Sequence, residues 1–147
     1  MKKGICMMLA AAMLFILCAC SQKAAVQFRE LQLGVEKEEL ENVLGNNYTT
    51  AGTVPDRMFY KNIALFDFLN ARSDTKLTVN LNTENRAYAY SYYIYENLDS
   101  NYTRTKEYFE GIYGPASEGE NASEIWIDGE RTFYLFKQSD YVAIGVN

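Results

Sequence analysis

A nine-residue pattern occurs twice in this chain and constrains its fold more than any other feature. The copies are residues 37–45 and 106–114, and both fit K-E-x-[L/F]-E-x-[V/I]-[L/Y]-G. Apolar residues fall at positions i, i+3 and i+4 of each copy, which places them on one face of a helix. Both copies end at glycine, a residue that often ends a helix with a positive φ. The recurrence predicts a duplicated fold.

The N-terminal segment has the layout of a lipoprotein signal. Lys2 and Lys3 precede an apolar run over residues 5–17, which is shorter than the roughly 20 residues that span a bilayer and fits a signal-peptide core. The following Leu-x-Ala-Cys resembles the lipobox of bacterial lipoproteins, in which the cysteine, here Cys20, is lipidated and becomes the new N terminus. An ordinary secretory signal with a chance cysteine is the alternative. We expect a signal peptide over 1–19 and a lipidated (palmitate-type) tether over 20–27.

Missing residue types exclude several kinds of chemistry. The chain has no histidine, which removes the commonest general base and the commonest transition-metal ligand. Cleavage before Cys20 removes Cys6 and Cys18, so the mature chain has no disulfide framework and no cysteine-based metal site. Carboxylate pairs of the glycosidase kind are compatible with the composition, but none stands in a suggestive context. We expect no cofactor, no metal and no enzymatic activity.

The net charge narrows the class of partner. The chain carries a formal charge of −5, and loss of Lys2 and Lys3 with the signal lowers it by two, to −7. An acidic chain without a basic stripe is a poor candidate for nucleic acid. It also binds anionic head groups poorly, so that membrane attachment depends on the lipid.

The hydrophobic period predicts two helices and seven strands. Helices are expected over residues 36–44 and 105–113, with Leu40, Val43 and Leu44 on the buried face of the first and Thr105 as a cap of the second. Alternating residues predict strands over 57–60, 63–69, 76–81, 86–95, 124–127, 131–137 and 140–146. Asp128-Gly129 is a strong hairpin signal between two of these strands.

The strand regions can be aligned as the helices can. Leu77, Val79 and Leu81 fall on Val142, Ile144 and Val146, which leaves the Tyr-rich strand 86–95 as an addition to the first copy. One helix-plus-sheet unit buries too little surface to be comfortably stable alone. We therefore predict an α+β fold of tandem repeats, 28–96 and 97–147, that share one curved antiparallel sheet with both helices on one face.

Residues 31–45 carry a family resemblance. The sequence L-x-L-G-V-x-K-E-E-L-x-x-V-L-G resembles the opening of SmpA/OmlA-type lipoprotein domains, L-x-x-G-M-T-x-x-E-V-x-x-[L/I]-L-G-x-P. The tandem layout is similar to the β-lactamase-inhibitor-protein-like (BLIP-like) fold. Val35, Glu36 and Asn46 depart from the motif, although Thr105 and Pro115 restore the last two positions in the second copy. The cysteine pairs of the secreted inhibitors are absent. The resemblance implies binding or assembly at the cell envelope and carries over no binding residue.

Tyrosine supplies the candidate binding residues. A sheet with helices on one face has a second face that meets solvent or a partner, and exposed aromatic residues mark interaction sites. If Ala87, Ala89 and Ser91 let the helices approach closely, the outer face carries these partner-binding candidates: Tyr88, Tyr90, Tyr92, Tyr134 and Tyr141. The alternative places these tyrosines in the core or in cross-strand pairs.

These features together predict a non-enzymatic lipoprotein that binds an envelope or secreted protein, or assembles the envelope, through its open sheet face. An inhibitor of, or sensor for, an extracytoplasmic enzyme or cell-wall component is the alternative. The expected location is the extracytoplasmic face of the cell membrane, or the outer membrane if the host has one.

Overall fold

The computed structural model of the protein describes residues 26–51 and 56–147. The predicted signal peptide, Cys20 and most of the predicted tether lie outside the described residues. Within the described ranges, neither helix has the length and apolar character needed to cross a membrane.

Eight antiparallel strands form one sheet, and two helices complete the α+β fold that the sequence predicts. The helices are α1, Lys37–Leu44, and α2, Leu98–Tyr113, with short 3-10 turns at Phe28–Glu30 and Glu120–Ala122. The strands are β1 Thr49–Thr50, β2 Arg57–Lys61, β3 Thr75–Leu81, β4 Ala87–Ile94, β5 Ser117–Glu118, β6 Glu124–Asp128, β7 Arg131–Lys137 and β8 Val142–Val146.

The strand order is β1-β2-β3-β4-β8-β7-β6-β5. Each helix is followed by four strands, and the last strand of each set, β4 or β8, lies at the centre, where the two pair. The two edge strands, β1 and β5, are two residues long. Such short edges limit the unpaired backbone groups available for edge-to-edge association.

Both helices end at the predicted glycines. Gly45 has a φ of +85° and Gly114 a φ of +83°, a conformation that side chains other than glycine rarely adopt. The Gly45 amide donates to the carbonyl of Glu41, and the Gly114 amide donates to the carbonyl of Glu110. The glycine ends of both pattern copies are therefore confirmed.

The apolar stripe of each helix is narrower than the pattern indicates. Leu40 of α1 and Phe109 of α2 are fully buried. Three residues later, Val43 is 46% exposed and Ile112 is 42% exposed. The prediction that Val43 lies on the buried face is therefore wrong.

Helix α2 begins a full two turns before the predicted start. It starts at Leu98, after Asn97 in a left-handed conformation. Thr105, predicted as a cap, lies inside the helix, fully buried, and its hydroxyl donates to the carbonyl of Asn101 at 2.7 Å. A threonine hydroxyl inside a helix can donate a hydrogen bond to the carbonyl four residues earlier, so Thr105 is buried without an unpaired hydroxyl.

The predicted strand over 63–69 is wrong. The segment is irregular, and its consecutive residues Leu65 and Phe66 are both fully buried. No residue of 63–69 pairs with a strand of the sheet. Instead the segment crosses the helix side of the sheet, where the carbonyl of Leu65 accepts from the amide of Phe28.

The core lies between one face of the sheet and four covering segments. These are α1, α2, the segment 62–74 and the N-terminal residues 26–35, here called the N-terminal strap. The Phe28 ring of the strap lies with its centroid 6.0 Å from those of Phe66 and Tyr92 and 6.4 Å from that of Phe133. Phe109 of α2 extends this aromatic core toward the sheet edge.

Hydrogen bonds from the sheet fix the N-terminal strap. The Arg131 guanidinium donates to the carbonyl of Arg29 at 2.8 Å, and the Arg86 guanidinium donates to the carbonyl of Gly34 at 3.0 Å. The strap is thus bound along its length to side chains from both halves of the sheet.

Substitution of Phe109 tests whether its ring packs in the core as described. Phe109→Ala removes a fully buried ring that stacks 5.1 Å from Trp126 and should lower the free energy of unfolding by about 3–5 kcal/mol. Ile112→Ala, on the exposed side of the same helix, should change it by less than about 0.5 kcal/mol. Urea unfolding followed by Trp126 fluorescence measures both. Equal effects of the two variants would contradict the assigned packing.

Candidate binding surface

The sheet face opposite the helices carries no helix or strap in the described part of the chain. We call it the outer face and define it by strand register. Its strand residues are Thr49, Arg57, Phe59, Lys61, Lys76, Thr78, Asn80, Ala89, Ser91, Tyr93, Ser117, Ile125, Ile127, Thr132, Tyr134, Phe136, Ala143 and Gly145.

Four aromatic rings form a contiguous cluster on the outer face. Tyr141 lies in edge-on contact with Tyr93, Tyr95 and Phe136, at centroid distances of 5.5, 6.4 and 6.1 Å. Tyr93 and Tyr95 stack at 6.3 Å. We call these four residues the aromatic cluster. Tyr95 is 39% exposed and the others are partly exposed, so the cluster presents both ring surface and hydroxyl groups to solvent.

A small residue at the centre of the sheet makes room for the cluster. Ala143 of β8 pairs with Tyr93 of β4 on one side and Phe136 of β7 on the other. Although no helix covers this face, Ala143 is 3% exposed. We attribute its burial to the flanking rings, which close over the methyl group and pack against each other.

Two of the predicted binding residues are in the core. Tyr90 and Tyr92 are fully buried beneath the helix side. The Tyr90 hydroxyl donates to the carbonyl of Gln32 at 2.6 Å, and the Tyr92 hydroxyl donates to the carbonyl of Ile63 at 2.5 Å. Their predicted position on the outer face is therefore wrong. A buried tyrosine combines a large apolar ring with a hydroxyl that needs a partner, and the covering segments supply that partner.

The sequence contains a signal that gives the correct face of β4. Ile94 shares its face with Tyr90 and Tyr92, and an aliphatic residue at that register favours the core. The residues of β4 on the opposite parity, Ala89, Ser91 and Tyr93, lie on the outer face. Of the four cluster residues, only Tyr141 is among the candidates predicted from the sequence; Tyr93, Tyr95 and Phe136 are not.

The remaining predicted tyrosines are accessible. Tyr141 belongs to the aromatic cluster. Tyr134 lies on the outer face, and its hydroxyl donates to Asn147 Oδ1 at 3.2 Å. Ala87 pairs with Leu81 and Ala89 pairs with Asn80, which leaves Tyr88 between them as the unpaired residue of a β-bulge. Its side chain is 54% exposed. A bulge re-aims the side chain of its extra residue, which accounts for that exposure.

Three basic residues of β2 and β3, Arg57, Lys61 and Lys76, occupy the outer face. Lys61 and Lys76 are level with Tyr93 of the aromatic cluster, whereas Arg57 is level with Ala89, four residues along the strands. The Lys76 ammonium lies 4.7 Å above the centroid of the Phe59 ring, within the range of a cation–π contact.

At Tyr95 the aromatic cluster lies beside carboxylates instead of basic residues. Burial raises the pKa of the Tyr95 phenol, and the nearby Tyr93, Asp74 and Asp140 raise it further. Tyr95 therefore keeps its proton at neutral pH and can donate a hydrogen bond to a partner.

A second concave region lies at the start of α2. It is a partly open cleft of about 300 Å³ lined by these residues: Phe68, Leu69, Asn70, Ser73, Glu96, Asn97, Ser100, Asn101 and Arg104. Its buried polar groups already have partners within the fold, since Asn101 Nδ2 donates to the carbonyl of Glu96 at 2.8 Å and Ser73 Oγ accepts from the amide of Asn70. Across the described residues, no three acidic or cysteine side chains are grouped to hold a metal ion.

Comparison of the chain with family models, curated proteins and solved structures finds no match in any of the three. The resemblance to SmpA/OmlA-type and BLIP-like domains therefore stays a prediction.

The buried tyrosines predict a specific response to alkaline pH. Burial raises the pKa of Tyr92 to about 12, above the ordinary value of about 10. The neutral phenol therefore stabilises the fold below pH ~10, and this contribution, about 2 kcal/mol, is lost as the pH rises to ~12.

Tyr92→Phe isolates that contribution. At pH 8 the variant should be less stable than the parent by about 1 kcal/mol, because the carbonyl of Ile63 loses its hydrogen bond. As the pH approaches 12 the difference should narrow and reverse, since the variant has no phenol to ionise. Urea unfolding across this range measures it, and a constant difference would contradict the burial of the hydroxyl.

Proposed function

We propose that this protein is a lipid-anchored extracytoplasmic lipoprotein that binds a partner protein through the outer face of its sheet. The aromatic cluster of Tyr93, Tyr95, Phe136 and Tyr141 is the observation that carries the proposal. Exposed contiguous aromatic groups are typical of protein interaction sites, where tyrosine is enriched among the residues that dominate affinity.

The packing of the cluster suits it to binding. Its rings already contact one another, so little side-chain freedom remains to be lost when a partner binds. The phenolic hydroxyls at its surface add hydrogen-bonding groups to the apolar rings. Tyr88 and Tyr134 extend the accessible aromatic surface and remain candidate contact residues.

The path of the chain agrees with a lipid anchor at Cys20. The N-terminal strap lies on the helix side of the sheet, where Phe28 enters the core. The described chain therefore begins, at Val26, on the side opposite to the aromatic cluster.

We further infer that the domain arose by duplication. The Tyr60 hydroxyl of β2 donates to the carbonyl of Gly45 at 3.0 Å, and the Trp126 indole of β6 donates to the carbonyl of Gly114 at 3.1 Å. In each half an aromatic donor thus binds the glycine that ends the preceding helix. When the two halves of the sheet are compared from edge to centre, β2 corresponds to β6, β3 to β7 and β4 to β8. Residues 62–74, between β2 and β3, are then the extra segment of the first half.

Mass spectrometry of the protein purified from its host membranes tests the anchor. The mature chain should begin at Cys20 and carry acyl chains, and Cys20→Ala should yield an unprocessed or released protein without them, because only a cysteine thiol accepts the lipid. Cys18→Ala serves as the matched control and should be processed like the parent. Acylation that persists in the Cys20 variant would refute the assignment.

Photo-cross-linking in living cells tests the binding face. A benzoylphenylalanine residue in place of Tyr95 or Tyr141 should give a discrete adduct with a second protein, because both positions lie in the proposed interface. The same group in place of Val43 or Ile112, which are similarly exposed on the helix side, should give none. Adducts from the helix positions alone would contradict the proposal.

The identity of the adduct separates the two functions that this face could serve. A single enzyme bound at one-to-one stoichiometry would indicate an inhibitor. Several envelope proteins recovered together would indicate an assembly role.

A further inference from the structure

We propose that the partner presents a carboxylate-rich surface to Arg57, Lys61 and Lys76, beside the segment of that partner that packs on the aromatic cluster. This inference rests on the proposed function, because it names the chemistry of the protein that binds the outer face. Three observations on the arrangement of charge carry it.

The charge on the strand residues of the outer face is opposite in sign to the net charge of the whole chain. Its eighteen strand positions include three cationic side chains and no carboxylate, whereas the full chain has a formal net charge of −5. Two further carboxylates, Asp74 directly before β3 and Asp140, lie beside Tyr95 at one end of the face. A local basic region on an acidic molecule attracts and orients an anionic partner.

Two of the cations oppose each other directly. Lys61 of β2 pairs with Lys76 of β3 in the register of the sheet. Like charges at directly opposed positions destabilise a sheet, and only Lys76 of the two has a stabilising ring contact, with Phe59. A carboxylate group from outside the molecule would remove this repulsion.

The three cations also lack an anionic partner within the chain. None of them forms an ion pair with a described carboxylate, and the same holds for four cations elsewhere: Arg29, Lys37, Arg72 and Arg104. Arg57, Lys61 and Lys76 differ from those four in sharing one face of the sheet. Asp74, two residues before Lys76 at the same strand parity, lies beside Tyr95 and forms no ion pair with Lys76. The charges of Arg57, Lys61 and Lys76 are therefore available to a ligand.

The cations and the aromatic cluster form one continuous surface. Lys61, Lys76 and Tyr93 occupy the same level of three adjacent strands, whose spacing is about 4.8 Å. A partner that packs on Tyr93 therefore lies within reach of both lysines. This favours an acidic protein over the anionic membrane surface, because the described chain begins, at Val26, on the opposite side of the sheet.

Titration of the full-length lipoprotein in detergent micelles tests the inference. The probe is a synthetic peptide of alternating glutamate and tyrosine, followed by amide shifts in ¹H–¹⁵N spectra, with an alternating lysine–tyrosine peptide as the reversed-charge control. Shifts caused by the acidic peptide should concentrate on β2, β3 and the aromatic cluster. They should weaken as salt is raised from 0.05 to 1 M, because screening shortens the range of charge attraction to about 3 Å.

The variant that carries R57Q, K61Q and K76Q should bind the acidic peptide roughly tenfold more weakly. The matched control, K37Q with R72Q and R104Q, removes the same charge from the helix side and the loops and should bind within about twofold of the parent. The test variant should fold as stably as the parent or slightly better, because it relieves the Lys61–Lys76 repulsion.

Several outcomes would overturn the inference. These are shifts on the helix side, equal weakening in the test and control variants, stronger binding of the lysine peptide, or adducts that prove to be a second copy of this chain. Photo-cross-linking at Tyr141 separates this failure from failure of the proposed function. If the charge-neutralised variant gives the same adduct in the same yield, the outer face binds a partner but not through acidic groups. If no adduct forms from any outer-face position, the proposed function itself fails.

Discussion

The insertion of Phe28 between Phe66, Tyr92 and Phe133 is the contact on which the rest of the structure depends. Eight strands at a spacing of about 4.8 Å make a sheet about 34 Å wide. A helix of eight residues, the length of α1, is only about 12 Å long. Two helices of such unequal length leave the centre of the apolar face uncovered. The N-terminal strap and segment 62–74 fill that gap, and their aromatic rings meet over the central strands.

Covering a sheet with irregular segments creates a hydrogen-bonding problem, because backbone carbonyls of a strap or loop have no ladder to satisfy them. Aromatic donors from the sheet solve it. Tyr60, Tyr90 and Tyr92 each place a ring in the core and extend a hydroxyl to a carbonyl of the layer above. Leucine or phenylalanine would fill the same volume but leave the carbonyl unpaired, at a cost of about 1–3 kcal/mol. This accounts for much of the tyrosine content on the covered side.

The tyrosines of the outer face serve a different purpose. They pack on one another over Ala143, keep their hydroxyls toward solvent and adjoin a group of unpaired cations. Lys61 and Lys76 oppose each other across adjacent strands with no carboxylate paired to either. The preformed aromatic surface and these cations are the physical basis for proposing that this face binds a partner, and the strap runs along the other side of the sheet.

Local sequence signals determined the parts of this fold that depend on neighbours in the chain. The glycines that end both helices, the Asp128-Gly129 hairpin and the alternation of the strands all follow from conformational preferences within a few residues. Tertiary structure decided which face of β4 is buried. The alternation of residues fixes only which side chains share a face, and a shift of one position exchanges the two faces. Within β4 itself, Ile94 is the residue that favours the face that is buried. Tertiary structure also turned the apolar run 63–69 into a covering segment instead of a strand. The signal peptide and the exclusion of histidine chemistry can be argued without coordinates, whereas the aromatic cluster, which joins residues from β4, β7 and the start of β8, exists only once the two halves of the sheet have paired.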